Sequence, residues 1–162
     1  MSLLSLSTIN KIERQIQSAK SFQYIASNSL EQIIGALRQI SVRSGLAIYI
    51  WSDLGLVNIQ SRQMPLPGTK TVLEALKYAT KNHYFAVYVF PGVNARNLLE
   101  IKSTLPTSSA YLKVNKNTRF LFLINKDTNF NFLTANAEEI QLGNQYTQKY
   151  KLRDSKWLLA NE

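Results

Sequence analysis

Three apolar runs constrain this chain most: Leu46-Ala-Ile-Tyr-Ile-Trp51, Tyr84-Phe-Ala-Val-Tyr-Val-Phe90 and Arg119-Phe-Leu-Phe-Leu-Ile124. Each is short, rich in β-branched and aromatic residues, and closed by turn-forming residues, which is the signature of a strand. None alternates apolar with polar. A strand that is apolar throughout must be covered on both faces, as in a parallel sheet sandwiched by helices.

The intervening segments carry helical spacing. Ile9, Ile12, Ile16 and Ala19 put one apolar face on a helix over 8–19. A shorter apolar run, Phe22–Ala26, reads as a further buried strand. After it, Ser29 with Gln32, or Asn28 with Glu31, has capping-box spacing, ahead of a helix with Leu30, Ile33, Ile34, Leu37 and Ile40 on one side. Gly45 stands where that helix needs a left-handed terminator. Asp53 and Gly55 suggest a turn, and Pro65-Leu-Pro-Gly68 a loop. Thr69 or Thr71 is placed to cap a helix buried through Val72, Leu73, Leu76 and Ala79. A helix over 95–105, with Leu98, Leu99 and Ile101 inward, follows Pro91-Gly92. Beyond Lys126, Glu138–Leu142 suggests an edge strand, and Tyr146–Leu152 with Lys156–Leu159 a terminal hairpin around Arg153-Asp-Ser.

Strands alternating with helices imply right-handed parallel βαβ units. The expected fold is α/β, a three-layer αβα sandwich with a mostly parallel sheet. Residues 1–162 read as one domain, with 1–7 flexible and 61–70 and 126–137 as mobile loops. The absence of cysteine excludes disulfides, thiolate metal sites and thiol nucleophiles, and a single histidine, His83, leaves little for a metal site or a triad. Met1-Ser-Leu-Leu-Ser-Leu-Ser is apolar but short, lacks a preceding basic residue, and is not expected to be a signal peptide. No apolar run approaches the roughly 18 residues of a membrane span. The expected location is the cytoplasm.

The segment from Trp51 to Leu76 reads Trp-Ser-Asp-Leu-Gly-Leu-Val, a loop, then Thr-Val-Leu-Glu-Ala-Leu. It resembles the region ahead of the ATPase module in the AAA family named after a hypothetical chloroplast reading frame. The order of elements from Ile12 to about Leu142 is similar too. The amino-terminal half of that family is a degenerate ATPase-like αβα domain. The resemblance therefore implies a degenerate P-loop-NTPase-like fold, a stand-alone relative of the non-catalytic half, and a regulatory or assembly role. No catalytic residue carries over.

The residues agree with that implication. A P-loop needs Gly-x-x-x-x-Gly-Lys-Ser/Thr after the first strand, so that bare backbone amides and a lysine surround phosphates. Here the stretch is Ala26-Ser-Asn-Ser-Leu-Glu-Gln32, without glycine or lysine, and Pro91-Gly92 stands where a metal-binding acid would follow a later strand. No Gly-x-Gly-x-x-Gly occurs. Asn125 ends a strand but also begins an Asn-Lys-Asp turn. Asp53 follows a strand but suits a turn. His83 has no acid nearby in sequence, and Glu138-Glu139, if in a strand, point to opposite faces. Catalytic, nucleotide-binding, cofactor and metal residues are accordingly expected to be none.

The net charge of +9 favours an anionic partner. Two basic clusters stand out. Lys113, Lys116, Arg119 and Lys126 lie near Tyr111 and Phe120; Lys149, Lys151, Arg153 and Lys156 interleave with Tyr146, Tyr150 and Trp157. A solvated edge explains them most simply, and contacts with an anionic protein or nucleic acid are the alternatives. The expected function is a non-catalytic protein–protein interaction or regulatory module whose partner is an ATPase or a second copy. The alternative is a small nucleic-acid-binding protein using the carboxyl-terminal strands, and a third reading is an enzyme with a site assembled from scattered residues.

Overall fold

A computed structural model describes residues 4–18, 20–61, 64–92, 97, 117–126 and 137–142, and the backbone of 150–153 and 156–159. The elements are α1 (Leu6–Ile16), β1 (Phe22–Ala26), α2 (Leu30–Ser44), β2 (Ala47–Ser52), β3 (Gly55–Asn58), α3 (Val72–Lys81), β4 (Ala86–Pro91), β5 (Thr118–Ile124), β6 (Glu138–Glu139), β7 (Tyr150–Arg153) and β8 (Lys156–Leu159). Six strands form one sheet in the order β3-β2-β4-β5-β1-β6, and β7-β8 form a separate two-stranded sheet. All neighbours in the larger sheet run parallel except β3, which turns back antiparallel on β2. The fold is α/β with a mostly parallel sheet. No helix among the described residues is long and apolar enough to cross a membrane.

Strand alternation sorts the sheet into two chemically different faces. Tyr24, Tyr88, Phe90, Phe120 and Phe122 join α3 in one buried cluster, with Phe22, Tyr49 and Trp51 packed at its margin. Ile25, Ile48, Val87, Val89, Leu121 and Leu123 point the other way and pack with Ile12, Ile16, Ile33, Leu37 and Ile40 of α1 and α2. The first face is a lattice of rings: Tyr49 stacks on Tyr88 at 5.5 Å, Tyr88 meets Phe120 at 6.0 Å, and Phe120 stacks on Phe22 at 5.4 Å between centroids. A second row, Trp51–Phe90–Phe122, runs beside it at 6.2 and 5.6 Å. Rings offset at these separations gain roughly 0.5–1.5 kcal/mol per pair beyond area burial.

Helix ends follow local chemistry, with instructive differences. Ser5 caps α1, accepting from the Thr8 amide, so the helix starts earlier than the 8–19 pattern indicates. Leu4 is buried against the aliphatic cluster, and the expected loose segment 1–7 is therefore folded from residue 4. Gly45 ends α2 at φ 73, as anticipated. The expected capping boxes at α2 do not form: Ser29 makes no side-chain cap bond, while Ser27 Oγ accepts from the Ser29 amide at 3.0 Å. Thr71, not Thr69, caps α3 through the Glu74 amide. Glu138-Glu139 form only a two-residue edge strand beside β1. The expected helix over 95–105 lies, apart from Asn97, outside the described residues, as does 127–136.

Gln23 is a polar residue in an apolar place. It is buried in β1 on the aliphatic side, and its amide nitrogen finds no hydrogen-bond partner among the described residues. A buried donor left unpaired costs about 1–3 kcal/mol. Gln23→Leu is therefore expected to raise stability by about 1 kcal/mol, read as a higher urea midpoint at an unchanged slope; a lower midpoint would show that the amide is satisfied in solution.

Candidate functional site

Ligands of open α/β sheets bind beyond the carboxyl ends of strands, where successive connections leave in opposite directions. That place is the seam between β1 and β5. From β1 the chain passes β5 and β4 to reach β2, whereas from β5 it passes β1 to reach β6. The seam is bordered by residues 27–29, the start of α2, and Asn125-Lys126, both exposed.

The backbone at this seam is tied inward. The Ser27 amide donates to the Ile124 carbonyl at 2.9 Å, extending the pairing with β5 one residue past the end of β1. The Ser29 amide donates to Ser27 Oγ at 3.0 Å, and the Gln32 and Ile33 amides turn back to the Ser29 carbonyl at 3.1 and 3.4 Å. Ser27 itself is fully buried. A phosphate cradle requires a run of outward amides with no side chains in the way. Here Ser27, Asn28 and Ser29 all bear polar side chains, and the amides of Ser27 and Ser29 already have acceptors.

The scattered candidates do not converge. Asp53, in the turn after β2, and Asn125, after β5, sit at the carboxyl edge with β4 between their strands, while His83 precedes β4 at the opposite edge. His83 is exposed, and its carbonyl accepts from Asn117 Nδ2 at 2.9 Å. Ser52 Oγ, not Asp53, accepts the amide of Leu54 in the β2–β3 turn. Glu138 and Glu139 are both exposed; one pairs with Lys20 at 3.5 Å and the other accepts from the Tyr24 hydroxyl at 3.4 Å. No group of three histidine, cysteine or acidic side chains suited to a metal occurs among the described residues.

Of the basic candidates, Arg119 has a different setting from the one expected. It is only 7% exposed, donates from Nε to the Ser18 carbonyl at 2.8 Å and from Nη1 to the Thr118 carbonyl at 3.1 Å, and lies 5.0 Å over the Phe85 ring. Burial lowers its pKa. Its charge ties the end of α1 to β5, so it is a poor contact for an outside anion. Lys113, Lys116 and Lys149 lie outside the described residues. Tyr150, Lys151, Arg153, Lys156 and Trp157 fall in the β7–β8 hairpin, known here through its backbone register alone.

No family model, curated protein or solved structure matches the chain. The residues that carry the resemblance to the AAA family have packing roles of their own. Trp51 Nε1 donates to the carbonyls of Thr69 and Lys70, both at 3.2 Å. Thr69 Oγ1 accepts from the Leu56 amide at 2.9 Å and donates to the Leu66 carbonyl at 2.6 Å. The Leu66 amide in turn reaches the Leu56 carbonyl at 2.8 Å. The Pro-rich segment expected to be a mobile loop is thus pinned over residues 66–70 to Trp51 of β2 and Leu56 of β3. Gly55 makes this approach feasible: at φ 121, an added Cβ would stand 2.8 Å from Thr69 Oγ1 and 3.1 Å from Pro65 Cβ.

A tyrosine cluster at the amino edge was not anticipated from the sequence. Tyr49 and Tyr84 share a hydrogen bond between hydroxyls, and Asn82 Nδ2 donates to the Tyr88 hydroxyl at 2.6 Å. Burial pushes Tyr88 up to about 12, partly opposed by the Asn82 donor. Burial first, then Tyr84, also raises Tyr49 and Tyr78. These phenols stay neutral at physiological pH and act as rings and hydrogen-bond groups. The one signal for the cluster was the tyrosines in two apolar runs, Tyr49 in one and Tyr84 and Tyr88 in the other, and only the Tyr49–Tyr88 pairing brings the runs together.

Two outcomes are expected. Gly55→Ala will lower stability by about 2 kcal/mol or more, since it combines a disfavoured φ with a clash against the Thr69 hydroxyl that bridges Leu56 and Leu66; a urea midpoint equal to wild type would remove Gly55 from the lock. Because folding raises these phenol pKa values above about 10, their contribution is complete below pH 10 and is lost as pH climbs through 12. Urea midpoints should therefore fall between pH 9.5 and 11.5, with a smaller fall in Tyr88→Phe.

Proposed function

We propose that this chain is a non-catalytic interaction or regulatory module with a degenerate ATPase-like αβα fold, acting by contact with a protein partner, either an ATPase or a second copy of itself. The observation that carries this reading is the closed β1–α2 connection. Two of its amides, those of Ser27 and Ser29, are turned onto Ile124 and Ser27 at the seam where a nucleotide would need outward donors.

Other features support it. The first strand is internal, flanked by β5 and β6, and helices lie against both clusters of the sheet, in keeping with a three-layer arrangement derived from a nucleotide-binding fold. The separation of His83 from Asp53 and Asn125 counts against an enzyme built on those three residues. An interaction module needs a rigid surface rather than a reactive pocket, and the two-sided core and the Trp51–Thr69 lock supply that rigidity.

Thermal unfolding with ATP, ADP or GTP plus magnesium tests the reading. A nucleotide present at a hundred times its Kd would stabilise the fold by about 2.7 kcal/mol. For a chain of this length that is a rise in Tm of roughly 5–10 °C. The expected rise is below 1 °C for all three. A shift of several degrees with any of them overturns the proposal.

A further inference from the structure

We propose that the β7–β8 hairpin is a sequence-independent binding ribbon for the phosphate backbone of duplex nucleic acid, because its register gathers Lys151, Arg153 and Lys156 at positions on one face. The pairs are Tyr150 with Leu159, Lys151 with Leu158, Leu152 with Trp157 and Arg153 with Lys156. Residues directly opposite in an antiparallel pair share a face, as do residues two apart along a strand. One face therefore holds the positions of Lys151, Arg153, Lys156 and Leu158. The other holds those of Tyr150, Leu152, Trp157 and Leu159. Alternation along β7 already sets Lys151 and Arg153 apart from Tyr150 and Leu152; the register adds the position of Lys156 to the first face and that of Trp157 to the second.

That separation decides the class of ligand. Unpaired bases are held by aromatic stacking beside cations, and here the aromatic positions are on the face away from the cations. Positions offering charge alone suit a phosphate backbone, which presents charge without exposed base faces. The three cationic positions lie about 5 Å apart across the ribbon and about 7 Å apart along it. A two-stranded ribbon fits the major groove, which is about 12 Å wide. Arg153 directly opposite Lys156 is unfavourable in an isolated hairpin, because like charges at paired positions repel. A phosphate between them converts that repulsion into attraction. The chain's charge of +9 draws a polyanion toward it from any side.

This inference goes beyond the interaction-module reading and stands or falls independently of nucleotide binding. Fluorescence anisotropy of the full chain with a labelled duplex of about 20 base pairs, long enough to span two groove turns, tests it. The chain should bind at 50 mM NaCl and lose about 40-fold in affinity at 200 mM, the dependence expected for three phosphates neutralised. Lys151→Glu, Arg153→Glu and Lys156→Glu together should weaken binding at least tenfold. A control with the same charge change on exposed helix-side lysines, Lys70→Glu, Lys77→Glu and Lys81→Glu, should stay within about threefold. Lys156→Gln guards against misfolding, since it relieves the like-charge pair; it should still weaken binding and reduce the salt slope by about one. Absence of binding at 50 mM, equal losses in the two triple variants, an unaltered slope in Lys156→Gln, or equally tight binding of polyglutamate would each overturn the proposal. The last result would assign the face to an acidic protein.

Discussion

Burial of β4 and β5 on both faces is the constraint on which the rest of this molecule depends. Val87, Val89, Leu121 and Leu123 face one way, and Tyr88, Phe90, Phe120 and Phe122 the other, all essentially inaccessible to solvent. A strand in that position leaves no backbone group exposed along its length, so it must pair on both sides. β2 and β1 provide those neighbours, and helices on each side cover what the ladder exposes. The division into aliphatic and aromatic faces has a packing consequence. On the aliphatic face, branched side chains interdigitate with those of α1 and α2. On the other, large rings span the sheet from β2 to β1 and support α3 through Val72, Leu76 and Ala79.

The same economy shapes the edges. At the carboxyl edge, the pairing with β5 continues one bond beyond β1 and draws Ser27 into the sheet. The Ser29 amide is likewise turned inward, onto Ser27 Oγ. At the amino edge, Arg119 is taken in rather than displayed, held by the carbonyls of Ser18 and Thr118 and by the Phe85 ring. An arginine fully charged and partly dehydrated stays in place when its donors meet carbonyls and its plane meets an aromatic face. The Trp51–Thr69–Gly55 lock does a related job at the β3 edge, where bonds to the returning 65–70 segment cover an otherwise open strand.

Much of the fold was legible before any coordinates. The apolar runs marked β2, β4 and β5 to within two residues, because a strand buried on both faces needs apolar residues at consecutive positions. Gly45 marked the end of α2 because a left-handed residue there favours glycine. The β7–β8 hairpin was readable from two short runs around a polar turn. Other features were hidden. β3 is four residues long, and its pairing with β2 depends on Gly55, whose role comes from a contact with Thr69 and Pro65 ten or more residues away. The capping boxes at α2 had the right spacing yet lost to the Ser27 turn, since that turn is set by where Ile124 stands, a residue nearly a hundred positions later.

What the sequence determined by itself was the class of the fold, the identity of the core strands, and the lack of a glycine-and-lysine loop for phosphates. Those properties reside in residue type and short-range spacing, which local chemistry dictates. Only the tertiary structure decided that Arg119 is buried, which tyrosines meet, and that Lys156 pairs with Arg153 across the hairpin. Each of those is a question of strand register and of neighbours distant in sequence. Shifting a pairing by one residue would turn each side chain to the opposite face.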